Sequence, residues 1–253
     1  MPVKVRVMPT LLYKDLGLVK GVSFDSWRRT GSALQAIKVY NLREVDELVF
    51  LDIAATRDGR PPDFELIDEL ADECFMPLTV GGGIRNIEDV RRLLQVGADK
   101  IAVNTAVIEN TYLVSQVARR FGSQCVVVSI DVRRKESGVY EVYTHAGTKP
   151  TGKDPVVIAK QAEMMGAGEI LVTSIERDGT MKGYDIELTC QVAESVSIPV
   201  IASGGAGNYE DMFQVLYEAK ASAVAAASIF HFTQQTPLEA KKYLRNKGCN
   251  VRI

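Results

Sequence analysis

The chain has 253 residues, 46% of them hydrophobic, with 30 basic residues against 32 acidic ones and a formal net charge of −2. That balance excludes the broad cationic footprint of a nucleic-acid binder. No apolar run approaches the roughly 20 residues of a membrane helix, and a chain of this size can fold without disulfide or metal staples.

In chain order, short β-branched runs alternate with amphipathic stretches. Strands are predicted over 6–12 and 47–53, then a helix over 63–74, a strand over 77–82 and a helix over 87–96. Further strands are predicted over 99–104, 124–131, 168–173, 198–203 and 221–227, with helices over 111–121, 155–165, 186–195 and 209–219 between them. Within the helices, apolar residues recur at three- and four-residue spacing, as in Leu66, Ile67 and Leu70 or Val90, Leu93 and Leu94. The strand runs are apolar enough to be covered on both faces. Eight β-then-α units in about 250 residues is the count of a (β/α)8 barrel. No Pro/Ser-rich linker divides the chain, so residues 1–253 are read as one such barrel domain.

An internal repeat supports this. Residues 50–59 (FLDIAATRDG) line up with 170–179 (ILVTSIERDG), and 77–83 (PLTVGGG) with 199–205 (PVIASGG). Asn86-x-Glu88-Asp89 matches Asn208-x-Glu210-Asp211. The spacing is near half the chain, so the barrel reads as two pseudo-symmetric half-barrels with related ligand sites at their strand ends.

Both glycine clusters, Gly81-Gly82-Gly83 and Gly204-Gly205-Ala206-Gly207, follow a strand and precede a helix. Backbone NH groups beside a helix start suit a dianionic phosphate. A lone cluster could simply relieve φ strain, but two at symmetry-related positions favour phosphate binding. Asn104-Thr105 and Ala227-Ser228, ending the fourth and eighth strands, are placed to complete the two sites. A ligand with a phosphate at each end is expected to span the barrel mouth.

The remaining composition narrows the chemistry. Cys74, Cys125, Cys190 and Cys249 form no Cys-x-x-Cys pair and are expected to be reduced, mostly buried thiols, with no metal site. The start, Met1-Pro2-Val3-Lys4-Val5-Arg6, lacks a signal-peptide core, so a cytoplasmic location is expected. With only His145 and His231 present, carboxylates are the expected acid–base groups. Residues 133–136 with 139–144 read as a small hairpin after the fifth strand, and His231 as a packed histidine.

The stretches TVGGGIRN, GADKIAVNTAVIEN, FGSQCVVVSIDV, GAGEILVTSIERDGT, GYD, IASGGAGN and SIFHF resemble the cyclase subunit (HisF) of imidazole glycerol phosphate synthase over essentially the whole chain. The resemblance implies a (β/α)8 barrel paired with a HisH-type glutaminase. Ammonia from that partner would pass through the barrel and attack a bis-phosphorylated nucleotide. The products would be imidazole glycerol phosphate and an aminoimidazole carboxamide ribotide, and no cofactor is implied. Carried over by position, Asp131 matches the family's second catalytic carboxylate. Gly83, Asn104 and Thr105 match one phosphate site, and Asp178, Gly179, Gly205, Ala227 and Ser228 the other. Lys20, in the mobile loop after the first strand, Asp52 and Thr173 match further active-site positions. At the opposite rim Arg6, Glu47, Lys100 and Glu169 match the family's ammonia gate, and Asp99 its docking surface for the glutaminase.

One departure is decisive. Aligning Lys14-Asp15 and Val19-Lys20 puts Leu12 where the family has its first catalytic aspartate, and Leu12 is the pseudo-symmetry mate of Asp131. General acid–base help is worth roughly 10²–10⁴-fold, and leucine moves no proton. This pattern resembles a paralogous branch, beside surface-polysaccharide genes, that supplies ammonia to a third, ATP-using amidotransferase converting a sugar acetamido group to acetamidino. Two other functions compete: a working histidine-pathway cyclase, and a non-catalytic scaffold that activates a glutaminase.

Overall fold

In the computed structural model, which describes residues 4–253, eight parallel strands form a closed barrel. They are β1 (Arg6–Lys14), β2 (Leu48–Asp52), β3 (Leu78–Gly81), β4 (Lys100–Val103), β5 (Val126–Arg134), β6 (Glu169–Ser174), β7 (Val200–Ser203) and β8 (Ala223–Ala226). Each pairs with the next, and β8 pairs with β1 through Arg6↔Ala223 to Pro9↔Ala226, which leaves no open edge in the ring. The first three residues of the start read above for a signal core lie outside the described residues.

Alternation along each strand explains why the runs are apolar throughout. Leu48, Phe50, Val80, Ile101, Val126 and Val128 face the helix layer in one large core cluster. Met8, Val49, Ala102, Val127, Leu171, Ile201, Ala223 and Ala225 fill the barrel interior as a separate cluster. Because the period is two, Arg6, Met8, Thr10 and Leu12 share the inward face of β1, and Val127, Ser129 and Asp131 share that of β5. The interior therefore runs from a charged lower rim through an apolar middle to a polar mouth.

The helices start where polar caps place them. Asn86 and Asp89 form a reciprocal capping box on helix Ile87–Gln95, and Asn208 and Asp211 form the same box on helix Tyr209–Tyr217. The half-chain repeat is thus physical: the same two-residue device starts the same helix in each half. Pro237 and the Thr236–Glu239 box likewise start the last long helix, Pro237–Asn246. Its Lys241, 2% exposed, reaches Asp46 at 3.1 Å and the Glu44 carbonyl at 2.7 Å, and Asp46 also accepts the Val7 amide.

One segment differs from expectation, and the small hairpin expected after the fifth strand is present. Residues read as a mobile loop after the first strand form a hairpin, Gly17–Val22 with Asp25–Gly31, continuing directly from β1. Its partner strand is largely polar and exposed, so no hydrophobic alternation announced it. Its two-residue turns put Asp15, Leu16, Ser23 and Phe24 at φ between 48° and 65°, without the glycines such turns favour. β5 runs past Asp131 to Arg134 and pairs with Tyr140–Thr144, giving the second half-barrel a hairpin at the equivalent place. Of the four thiols only Cys125 is buried; Cys74, Cys190 and Cys249 are half-buried, because they sit on or just after helices of the outer layer. Among the described residues, no helix is long and apolar enough to cross a membrane.

Candidate active site

A cavity of about 1190 Å³, counting its open mouth, lies at the C-terminal ends of the strands. Leu12 and Asp131 line it, as do Lys20, Asp52, Gly83, Asn104, Thr105, Thr173, Asp178, Gly179, Gly205, Ala227 and Ser228. Residues from across the whole sequence converge there because every barrel strand ends on the same face.

Asp131 is 9% exposed. Asn104 Nδ2 donates to its Oδ2 at 3.2 Å and to the Ser129 carbonyl at 3.1 Å, which fixes the carboxylate's orientation. Burial pushes the Asp131 carboxyl up to about 7, and the nearby charge of Asp178 adds to the rise. A carboxyl that exchanges its proton near neutrality can act as acid or base. Leu12, 8% exposed on β1, presents only hydrocarbon to the same cavity.

Asp178 carries the site's strongest ion pair. Lys20 Nζ, on the first hairpin, lies 2.5 Å from its Oδ2, with the lysine 1% exposed. Burial raises the Asp178 carboxyl and Lys20 opposes the rise. The hairpin is further held by the Ser23 amide donating to the Asp178 carbonyl at 2.8 Å. Gly179 permits this approach, since a Cβ there would stand 2.1 Å from the Gly21 carbonyl oxygen.

The two glycine loops are close-packed. Gly82 has φ +111° and a Cβ on it would meet the Asp52 carbonyl oxygen at 2.2 Å; Gly205 has φ +112° and would meet the Gly183 carbonyl oxygen at 2.1 Å. Gly205→Ala is therefore expected to cost about 2–4 kcal/mol in urea denaturation; a change within about 0.5 kcal/mol would refute the close approach. Ser228 Oγ, beside the second loop, and Thr10 Oγ1, beneath Leu12, are buried without a hydrogen-bond partner among the described residues. Buried hydroxyls are normally satisfied, so both have capacity for a ligand.

Three of the predicted residues also make contacts within the chain that spacing does not announce. Asp52 Oδ1 accepts the Ala54 and Ala55 amides at 3.0 Å, and Arg60 lies 3.4 Å from Oδ2, so it shapes the loop after β2. Asn104 orients Asp131. Thr105 Oγ1 accepts the His145 amide at 3.1 Å and tethers the second hairpin. Phe24 and Trp27, on the first hairpin, also line the cavity. Sequence reading missed them because it gave that segment no structure.

At the opposite rim, Arg6 Nη1 lies 2.7 Å from Glu47 and 3.0 Å from Glu169, and Lys100 Nζ lies 2.9 Å from Glu47 and 3.1 Å from Glu169. The four groups close a ring across the barrel. Burial alone would lower the Arg6 guanidinium, but Glu169 and Glu47 outweigh it and raise it. Thr79 Oγ1 donates to Glu47 Oε1 at 2.7 Å, a fifth member that β3 aims inward and the sequence reading missed. Asp99 accepts the Leu78 amide at 2.8 Å, and its residue is exposed on this face. Leu42, Met164 and Tyr217 end their helices and Phe75 lies between a helix end and a strand start on the same side, each 74% exposed or more.

His231 lies beside the cavity with its pKa lowered by burial, against a hydrogen bond to the Thr10 backbone, and stays neutral at pH 7. Among known families, the one described as histidine biosynthesis protein matches residues 6–236.

Proposed function

Because the chain belongs to the histidine biosynthesis protein family, we propose that it is a HisF-like synthase subunit. It receives ammonia from a HisH-type glutaminase through the barrel and holds a phosphorylated ligand at the mouth. The observation that carries this reading is the pairing of a closed Arg6–Glu47–Lys100–Glu169 ring below with a phosphate-suited, half-equipped mouth above. The ring separates the interior from the lower face, where Asp99 and the exposed Leu42, Phe75, Met164 and Tyr217 offer a mixed docking surface for the glutaminase.

At the mouth, Gly83 with Asn104 and Thr105 forms one phosphate cradle. Gly179 and Gly205, with Ala227 and Ser228, form the other, and Asp178 holds Lys20 beside it. Asp131 supplies one proton-transfer group, and Thr173 lines the mouth between them. With Leu12 facing it, the mouth lacks the second group that ring closure and cleavage would use. We assign the chain to ammonia delivery for amidination of a nucleotide sugar, in surface-polysaccharide synthesis, with a third ATP-using amidotransferase as acceptor of the ammonia. A second reading, histidine-pathway cyclase, draws on Asp131, whose carboxyl near 7 suits proton transfer by itself.

Two measurements decide. Given the formimino ribonucleotide and an ammonium salt at alkaline pH, the purified chain is expected to make imidazole glycerol phosphate at least about 10²-fold more slowly than an aspartate-bearing homologue; turnover near that of such a homologue sinks the ammonia-delivery reading. Lys100→Ala, with glutaminase docking intact, is expected to reduce glutamine-dependent transfer while ammonium-dependent transfer persists. Unchanged glutamine-dependent transfer would leave the ring without a gating role and favour a plain scaffold.

A further inference from the structure

Beside the main cavity lies a smaller annex of about 260 Å³, open to solvent, with Phe24, Trp27, Ile53 and Ala146 forming the wall that both share. The rest of its lining is Lys14, Arg57 and Thr148, none of which belongs to the cradles, the proton-transfer position or the lower ring. The two cations have weak partners. Lys14 Nζ is 3.9 Å from Asp15, and Arg57 Nε is 3.9 Å from Asp58, with those carboxylates 70% and 41% exposed. Ion pairs of that length at the surface contribute little, so both cations retain donors for an anion.

The aromatic wall is held in place by unusual backbone. Phe24 sits at φ +61°, a conformation bulky residues rarely adopt, and its ring packs where Gly147 leaves room: a Cβ there would meet it at 2.8 Å. Trp27 lies against Gly21, where a Cβ would stand 2.9 Å from the indole. Such a wall suits a planar heterocycle, and the cations beside it suit phosphate. Thr56, which lines the main cavity and accepts the Gly83 amide at 3.2 Å, directly precedes Arg57, which lines the annex.

We propose that the annex makes this a nucleoside diphosphate site: one phosphate in the Gly83 cradle, the other met by Arg57 and Lys14, and the base laid on the Trp27–Phe24 wall. This inference rests on the reading of the Gly83 loop as a phosphate cradle. Trp27 is the chain's only tryptophan, so its fluorescence reports this wall alone. The test titrates the full chain with uridine and adenosine diphosphates, the matching monophosphates and ribose 5-phosphate, followed by Trp27 quenching and by calorimetry. At least one diphosphate is expected to quench Trp27 and to bind about tenfold or more tighter than ribose 5-phosphate, as one stacked base provides. Arg57→Ala is expected to bring diphosphate affinity down to that of the monophosphate. Ribose 5-phosphate binding as tightly as the diphosphates would overturn the annex and leave the cradle standing. Failure of every ligand to bind would overturn both.

Discussion

Leu12→Asp is expected to raise conversion of the formimino ribonucleotide and ammonium to imidazole glycerol phosphate by about 10²–10⁴-fold over the unmodified chain. The side chain at this position already faces the cavity from β1, where the half-barrel repeat sets Asp131 on β5. In the proposed reading the cradles and Asp131 are retained, so the substitution adds one proton-transfer group to a site otherwise equipped. The new carboxyl would sit in a poorly solvated wall near other carboxyls, so its own pKa should be raised and the fold should lose about 1–3 kcal/mol. Leu12→Asn is the control, because it carries similar polarity and no titrating proton. Product formed equally by both variants, or by neither when both are folded, would show that the missing carboxylate is not what separates this chain from a cyclase.

Asp131→Asn is expected to remove proton transfer and, above neutral pH, to stabilise the protein. In the native state the carboxyl titrates near 7, against about 3.9 in an unfolded chain. The folded state therefore holds the extra proton between those values, and stability falls as pH rises from about 4 to about 7. Asparagine has no such titration and can still accept from Asn104. Its advantage should be absent near pH 4 and level off above pH 7, on the order of 2–4 kcal/mol. Thermal melts at pH 4.5 and pH 8 check this; an equal difference at both would mean that Asp131 is not held protonated by its surroundings. Any activity that uses Asp131 should show an inflection near the same pH.

Much of this was legible before any coordinates, and the reason is periodicity. Every barrel strand announced itself because burial on both faces demands β-branched runs, and the turn glycines marked the mouth because no other residue tolerates Gly82 or Gly205 geometry. The lower ring was legible as charges of both signs at inward-facing strand starts, together with the resemblance that gave those four positions a shared role. What stayed hidden lacked such a pattern. The second strand of the first hairpin is polar and the turns place Leu16 and Phe24 where glycine is usual, so neither alternation nor turn chemistry revealed it. Asp52 and Asn104 were found as positions, yet which backbone or carboxylate each would bind depends on distances that spacing does not encode. The last helix was findable from Thr236-Pro237 and Glu239, a capping signal that was passed over.

The family match stops at residue 236, one position before the helix that carries Lys241. That lysine is the counter-charge of Asp46, whose neighbour Glu47 anchors the lower ring. A protein trimmed to its recognisable span would keep every signature of the barrel and yet leave a buried carboxylate unneutralised beside its lower ring. The unit that must be preserved in any fusion, transplant or minimal version of this barrel is therefore longer than the unit by which it is recognised.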